Sequence, residues 1–279
     1  MPKRTGSVTK ELLINAPLPQ ATATYTVIPH DFVISSVEQE LKAAGLEIEQ
    51  ELYKATDSAQ VASGVLHLKQ GEDQEMRMMF AWANSYDKSM RFKCAIGGYL
   101  PQSGSILVSG NMGSWGRKHT GSAAQQTLET IKHQIHSADM YYTELINDKA
   151  VMKNVLVPER RKAEVLGILY FEHGLLTGEQ LGIIKQQHKN PSFSYNADKD
   201  SLWTLYCHVI YSLQRSHPKN WLDQQRLIHF FMTDIFDIYN HVQEPAPAVQ
   251  SVPEVDPRQI TLDQAIAEAE SNGQGEVQN

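Results

Sequence analysis

The 279-residue sequence predicts an α+β fold: an antiparallel sheet of about five strands with a long helix packed on it, then a C-terminal helical region and a disordered tail. Three observations carry that reading. Between Leu46 and Ser109 apolar residues recur with a period of two, interrupted by turn residues. From Ser122 the period becomes helical, and from Glu244 a Pro-, Gln- and Glu-rich stretch loses periodicity altogether.

Residues 1–23 mix polar and small side chains and are expected to form an extended arm. Thr24–Ile28 alternates like a strand and stops at Pro29; Asp31 then suits the cap of a helix with Phe32, Val37, Leu41 and Ala44 on one face and Gly45 at its end. Strands are expected at 46–54, 61–69, 75–83, 88–96 and 105–109, separated by turns at Asp57-Ser58, Gly71 to Asp73, Asn84 to Asp87 and Pro101 to Gly104. The third and fourth form a hairpin with Met76, Met78, Phe80 and Trp82 on one strand and Met90, Phe92, Cys94 and Ile96 on the other sharing a dry face. Ser122 with Gln125 reads as a capping box for the longest helix, whose stripe Ala124, Leu128, Ile131, Ile135, Ala138, Tyr142 and Leu145 should lie across that face. Further helices are expected at 158–172, at 178–189 after a Thr177/Gln180 capping box, after Asp200, and from Trp221 to Tyr239. The resulting units are 1–23, a sheet-and-helix domain at 24–157, helices at 158–243 and an acidic tail at 244–279.

The formal charge of −7 is concentrated at one end. Residues 241–279 hold seven acids and one base, which leaves the remainder almost neutral and able to carry a local basic patch. The two cysteines, Cys94 and Cys207, sit in apolar stretches and read as reduced core residues, not as a disulfide or a zinc ribbon. Leu12-Leu13-Ile14 is too short for a signal peptide or a membrane span, so no membrane partner and a cytoplasmic location are expected.

Two places could carry polyanion chemistry. The outer side of the hairpin presents Arg77, Arg91 and Lys93, with Lys88 at its turn; such alternation describes a solvated sheet face or a platform for phosphates. The connection Gly110–Gly121 combines glycines with Trp115, Arg117, Lys118 and His119 at the start of a long helix, where backbone N–H groups could hold a phosphate while the indole stacks a base. Its glycine spacing fits neither the P-loop nor the dinucleotide fingerprint. His133 and His136, three apart on the long helix, could supply two metal ligands but have no third donor in the sequence pattern; an exposed helix face accounts for them as well. No nucleophile elbow or comparable nucleophile signature stands out, so neither an enzyme nor a cofactor is expected.

Tyr25-Thr26-Val27-Ile28-Pro29, Asn84 to Ser89, Arg91-Phe92-Lys93-Cys94, Lys118-His119-Thr120 and Leu202 to Tyr206 follow one another in an order that resembles a phage- and plasmid-borne family, domain of unknown function 932. Lys88 departs from the glycine usual in that family's turn, and Gly97 from an asparagine. The resemblance implies mobile-element biology in a bacterial cell and no defined reaction. Together with the basic hairpin face, the aromatic loop and the acidic tail, it leads to an expectation of single-stranded DNA binding or annealing, with self-association. The alternative is a factor that binds a host or phage protein, which an aromatic helical half and an acidic tail suit equally well.

Overall fold

The structure, a computed structural model, describes residues 5–20, 26–71, 73–109, 116–117 and 123–241. All of them belong to one compact unit, residues 1–243; the expected acidic tail at 244–279 lies outside the described residues.

The fold is mixed α and β, as the periodicity predicts. Six antiparallel strands follow one another across a curled sheet: β1 (Thr5–Val8), β2 (Ile48–Thr56), β3 (Val61–Leu68), β4 (Arg77–Ser85), β5 (Phe92–Leu100) and β6 (Ser105–Leu107). A two-residue strand, β7 (Gly116–Arg117), pairs with the start of β5, so β6 and β7 share its outer edge in tandem. The predicted hairpin forms with Trp82 opposite Cys94 and Phe80 opposite Ile96, but Asn84 and Ser85 belong to β4 and β5 begins only at Phe92, so its connection is residues 86–91 and not the four-residue turn expected at Asn84 to Asp87.

The N-terminal arm departs from the extended expectation. Its β1 pairs with β2, and the chain then turns into the short helix α1 (Lys10–Ile14), capped by Thr9, whose hydroxyl accepts from Leu12 N–H at 3.4 Å. Leu13 is fully buried, which ties the arm to the core. Of the strand expected at 24–28, residues 26–28 form none, and Ile28 accepts instead through its carbonyl from Asn84 Nδ2 at 2.8 Å. Helix α2 (His30–Ala43) follows Pro29 directly; Asp31 stands in its first turn, not at its cap, and Gly45 leaves it with φ +73°.

One face of the sheet receives α2 and the long helical stretch, which divides into α3 (Ala123–His136) and α4 (Ala138–Asn154) at Ser137. Ile131, Ile135, Ala138, Tyr142 and Leu145 are buried as predicted, whereas Ala124 is exposed. The Tyr142 hydroxyl donates to the Met76 carbonyl, and Gln134 Oε1 accepts from Ile96 N–H at 3.4 Å, pinning both helices to the hairpin.

The opposite face is also covered, against expectation. Met79, Ala81 and Ala83 on β4 and Ala95 and Gly97 on β5 are buried there. Gly97 admits the close approach of β6: a Cβ there would stand 2.2 Å from the Leu107 carbonyl oxygen, so an asparagine cannot replace it without moving β6. The chain continues through α5 (Glu159–Gly167), which runs on as a π-helical turn (Ile168–Glu172), then α6 (Gly178–Lys189), α7 (Leu202–Ser212) with a 3-10 turn (Leu213–Arg215), α8 (Trp221–Ile235) and α9 (Ile238–His241); of these α7 and α8 pack against β6, and α6 packs on α7. The Thr177/Gln180 capping box forms as predicted. Ser201, not Asp200, caps α7, because Asp200 accepts from Lys162 Nζ at 2.7 Å; the last predicted helix breaks at Asp237, whose φ is +51°.

Candidate nucleic-acid interface

The turn between β4 and β5 is fixed from within. Ser85 Oγ donates to the Met90 carbonyl at 3.1 Å, and Asp87 Oδ1 accepts from Ser89 N–H at 3.0 Å. Lys88 adopts φ +62°, a left-handed conformation that glycine takes without steric cost, and its side chain is exposed. Arg91, three residues on, is exposed and makes no ion pair with a described residue.

Onto this corner comes the two-residue strand β7. Gly116 pairs with Lys93 and Arg117 with Phe92, so two cation-bearing stretches distant in sequence run side by side along the outer edge of β5. Trp115, Lys118, His119 and Ser122, the capping half of the expected Ser122/Gln125 box, lie outside the described residues; Gln125 donates to Glu129 at 3.1 Å, and Arg117 is described through its backbone alone.

Two of the expected cations are drawn elsewhere. Arg77 stands at the far end of β4, opposite Tyr99, and donates to both carboxylate oxygens of Glu49, at 2.7 and 3.0 Å. Six residues of extended strand separate it from Ala83, the partner of Lys93, or about 20 Å. Lys93 itself forms an ion pair with Asp223 of α8, and its side chain is 14% exposed. The continuous basic sheet face expected from alternation therefore gives way to a cationic corner, because helix α8 occupies the face.

His133 and His136 are exposed in the last turn of α3, where partial positive charge is favourable. No cluster of three or more His, Cys, Asp or Glu side chains able to hold a metal occurs among the described residues. Both cysteines are free and buried, and burial pushes both thiols up.

The helical half contains polar groups that periodicity alone does not single out. His229 of α8 is bonded through Nε2 to Asp148 Oδ2 at 3.0 Å and through Nδ1 to the Tyr206 hydroxyl at 2.9 Å, all three fully buried. Lys149 is buried between Asp73 and Glu75, and Lys153 and Asn196 also reach Glu75, both at 2.6 Å. Burial opposes ionisation of Asp73, yet bonds from Lys149 and the Met76 and Glu75 backbone N–H groups hold its carboxyl below the usual range. The sequence signal for these groups is a polar residue inside an apolar helix, Asp148 beside Leu145 and Met152 or His229 beside Ile228 and Met232.

No protein family, curated protein or solved structure matches the chain. What the fold defines is a mixed α/β protein whose curled antiparallel sheet is covered by helices on both faces. No helix among the described residues is long and apolar enough to cross a membrane.

Proposed function

We propose that the β4–β5 corner, with the adjoining glycine-rich connection, binds single-stranded DNA in recombination or replication of a phage or plasmid. The observation that supports this reading is the pairing of Gly116–Arg117 with Phe92–Lys93, which sets the backbone of Arg117 beside the strand start next to the exposed Arg91; Trp115, Lys118 and His119 are its neighbours in sequence. Cations at a sheet edge, in sequence stretches that also hold an aromatic residue, match the backbone-tracking and base-stacking needs of a sequence-tolerant single-strand binder. Annealing of two strands would further call for several copies of the chain acting together.

Fluorescence anisotropy of a labelled oligonucleotide over a salt series tests it. Affinity should fall linearly on a double-logarithmic plot, and Arg91→Glu should weaken binding and reduce the slope by about 0.7 for each phosphate that is no longer neutralised. Arg77→Ala should leave both unchanged, since Glu49 already neutralises that side chain. Absence of binding at low salt would end the reading.

A second reading, a protein-binding factor, draws on Phe171, which is 85% exposed within the π-helical turn after α5. Irregular turns of this kind collect at functional sites, and an aromatic side chain held in water is a natural anchor for a partner. Capture of a host or phage protein that survives nuclease treatment and is lost on Phe171→Ser would favour it.

A further inference from the structure

Between the helix-covered face of the sheet and the C-terminal helices lies a cavity of about 130 Å³. Val65, Ile106, Leu213 and Trp221 contribute apolar wall, and His67, Gln225 and Lys54 contribute polar groups. An apolar cavity of about 150 Å³ is enough for benzene, so the space suits one six-membered ring.

Three of the residues that line it carry buried polar atoms without a hydrogen-bond partner: His67 Nε2, Trp221 Nε1 and Gln225 Oε1. His67 and Gln225 are each 3% exposed, so bulk water does not serve them. The His67 ring stacks on Tyr99 at 3.7 Å between centroids, and Gln50 Oε1 accepts from its Nδ1 at 3.2 Å, which leaves Nε2 with a bare lone pair. Burial holds this imidazole below its ordinary pKa and hence neutral. The unmet set is thus two acceptors, His67 Nε2 and Gln225 Oε1, and one donor, the Trp221 indole N–H. Unmet buried groups of this kind are costly, and their convergence on one cavity with apolar walls is the usual composition of a small-molecule site. Lys54, exposed and without an ion pair among the described residues, adds a cation to the same lining.

We propose that this cavity binds a planar, single-ring heterocycle that carries at least one ring N–H donor and a carbonyl acceptor on its edge and an anionic substituent. A uracil nucleotide and a pyrimidine carboxylate such as orotate share that chemistry. The ring fills the space between Val65 and Trp221, its edge meets His67, Gln225 and the indole N–H, and its anion pairs with Lys54. The site is separate from the β4–β5 corner and does not require strand binding there.

The test follows the Trp221 indole N–H resonance by NMR in the full chain, assigned with Trp221→Phe, during titration with uridine monophosphate, orotate or benzoate. The expected result is a saturable shift with uridine monophosphate or orotate, the responding probe identifying phosphate or carboxylate as the anion, and a much weaker one with benzoate, which lacks a hydrogen-bonding ring edge. Lys54→Glu, at an exposed position that leaves folding intact, should weaken binding about tenfold or more. Gln225→Leu should erase the preference over benzoate. Arg91→Glu should weaken oligonucleotide binding while leaving this shift in place, so the two sites fail separately. No shift at about 10 mM of any probe, where even a millimolar ligand saturates, overturns the proposal. Equal response to benzoate, or insensitivity to Lys54→Glu, does the same.

Discussion

Two histidines of the helical half are almost equally buried and yet opposite in character. His229 on α8 has both ring nitrogens bonded, to Asp148 and to Tyr206. His208, two residues after Tyr206 on α7, is 3% exposed and has neither nitrogen bonded. Burial, followed by the nearby His188 and Lys162, lowers its pKa to about 4. Depth in the protein thus says little about the role of a polar side chain; the partners that the fold supplies decide it. His229 joins α4, α7 and α8 through side-chain bonds, whereas His208 lies edge-on to Tyr195 and works as a neutral aromatic wedge.

The contrast breaks most visibly at Asp148. Replacement by alanine leaves His229 Nε2 without its partner in a site water does not reach, and the expected loss is about 3 kcal/mol in urea unfolding. Asp148→Asn, which keeps an acceptor oxygen, should cost less than half of that. A loss below about 1 kcal/mol for the alanine variant would mean that the three-residue connection does not hold the helices together.

At His208 the comparison sharpens through pH. The unfolded chain protonates this imidazole near its ordinary pKa of about 6.5, and the folded chain only near 4. Between those values the unfolded state binds more protons, so stability falls as pH drops from about 6.5 to 4, by up to about 3 kcal/mol in all. Above 6.5 the group is neutral in both states and contributes no pH dependence. His208→Phe retains the aromatic packing and should remove this component, so that the difference between variant and parent grows as the solution is acidified. Thermal melts of both proteins at pH 7 and pH 4.5 check it, and a constant difference across that range would show that the ring is solvated.

The same division between local pattern and long-range partner decides what can be read in the sequence. The order of the strands, the shared face of the β4–β5 hairpin and the Thr177/Gln180 cap all depend on residues within a few positions of one another, and these are legible; the hairpin register is not, because the bonds of Ser85 and Asp87 that hold a longer turn leave no mark on the period of two. Double burial of the sheet runs against the reading of one dry and one wet face, although β4 runs apolar without a break from Met78 to Ala83, the signature of a strand covered on both sides. The fates of Arg77 and Lys93 depend on Glu49 and Asp223, carboxylates that only the tertiary fold brings near. The cationic corner is half legible: its residues stand out by composition, while the β7 pairing that sets them side by side has no local signal in two residues, Gly116 and Arg117.

Helix α6 offers a smaller test, since it carries His188 towards His208 with ring centroids 6.5 Å apart. Its first turn is rich in partners: Thr177 Oγ1 accepts from Gln180 N–H at 3.2 Å, Gln180 Oε1 accepts from Thr177 N–H at 2.9 Å, and Gln180 Nε2 donates to Ser216 at 3.0 Å. Thr177→Ala should cost about 1 kcal/mol at neutral pH and leave the acid-dependent difference at His208 unchanged. A change in that difference would mean that the position of α6 governs the burial of His208.

The smallest effect is expected where water supplies the missing partner. The Arg77–Glu49 pair has good bidentate geometry, but its side chains are 47% and 44% exposed, so solvent screens the attraction and replaces the bonds when one member is removed. Glu49→Gln should shift stability by less than about 0.5 kcal/mol, against about 3 kcal/mol for the buried Asp148, although each removes one carboxylate from one cation or imidazole. The same variant frees the Arg77 guanidinium at the end of the hairpin remote from Lys88 and Arg91. If strands are held at the β4–β5 corner, oligonucleotide affinity and its salt slope stay as they were, because a cation about 20 Å away lies beyond two Debye lengths at 0.15 M salt. Tighter binding by Glu49→Gln would instead extend the interface along the whole outer edge of the hairpin, and would make Glu49 a residue that limits it.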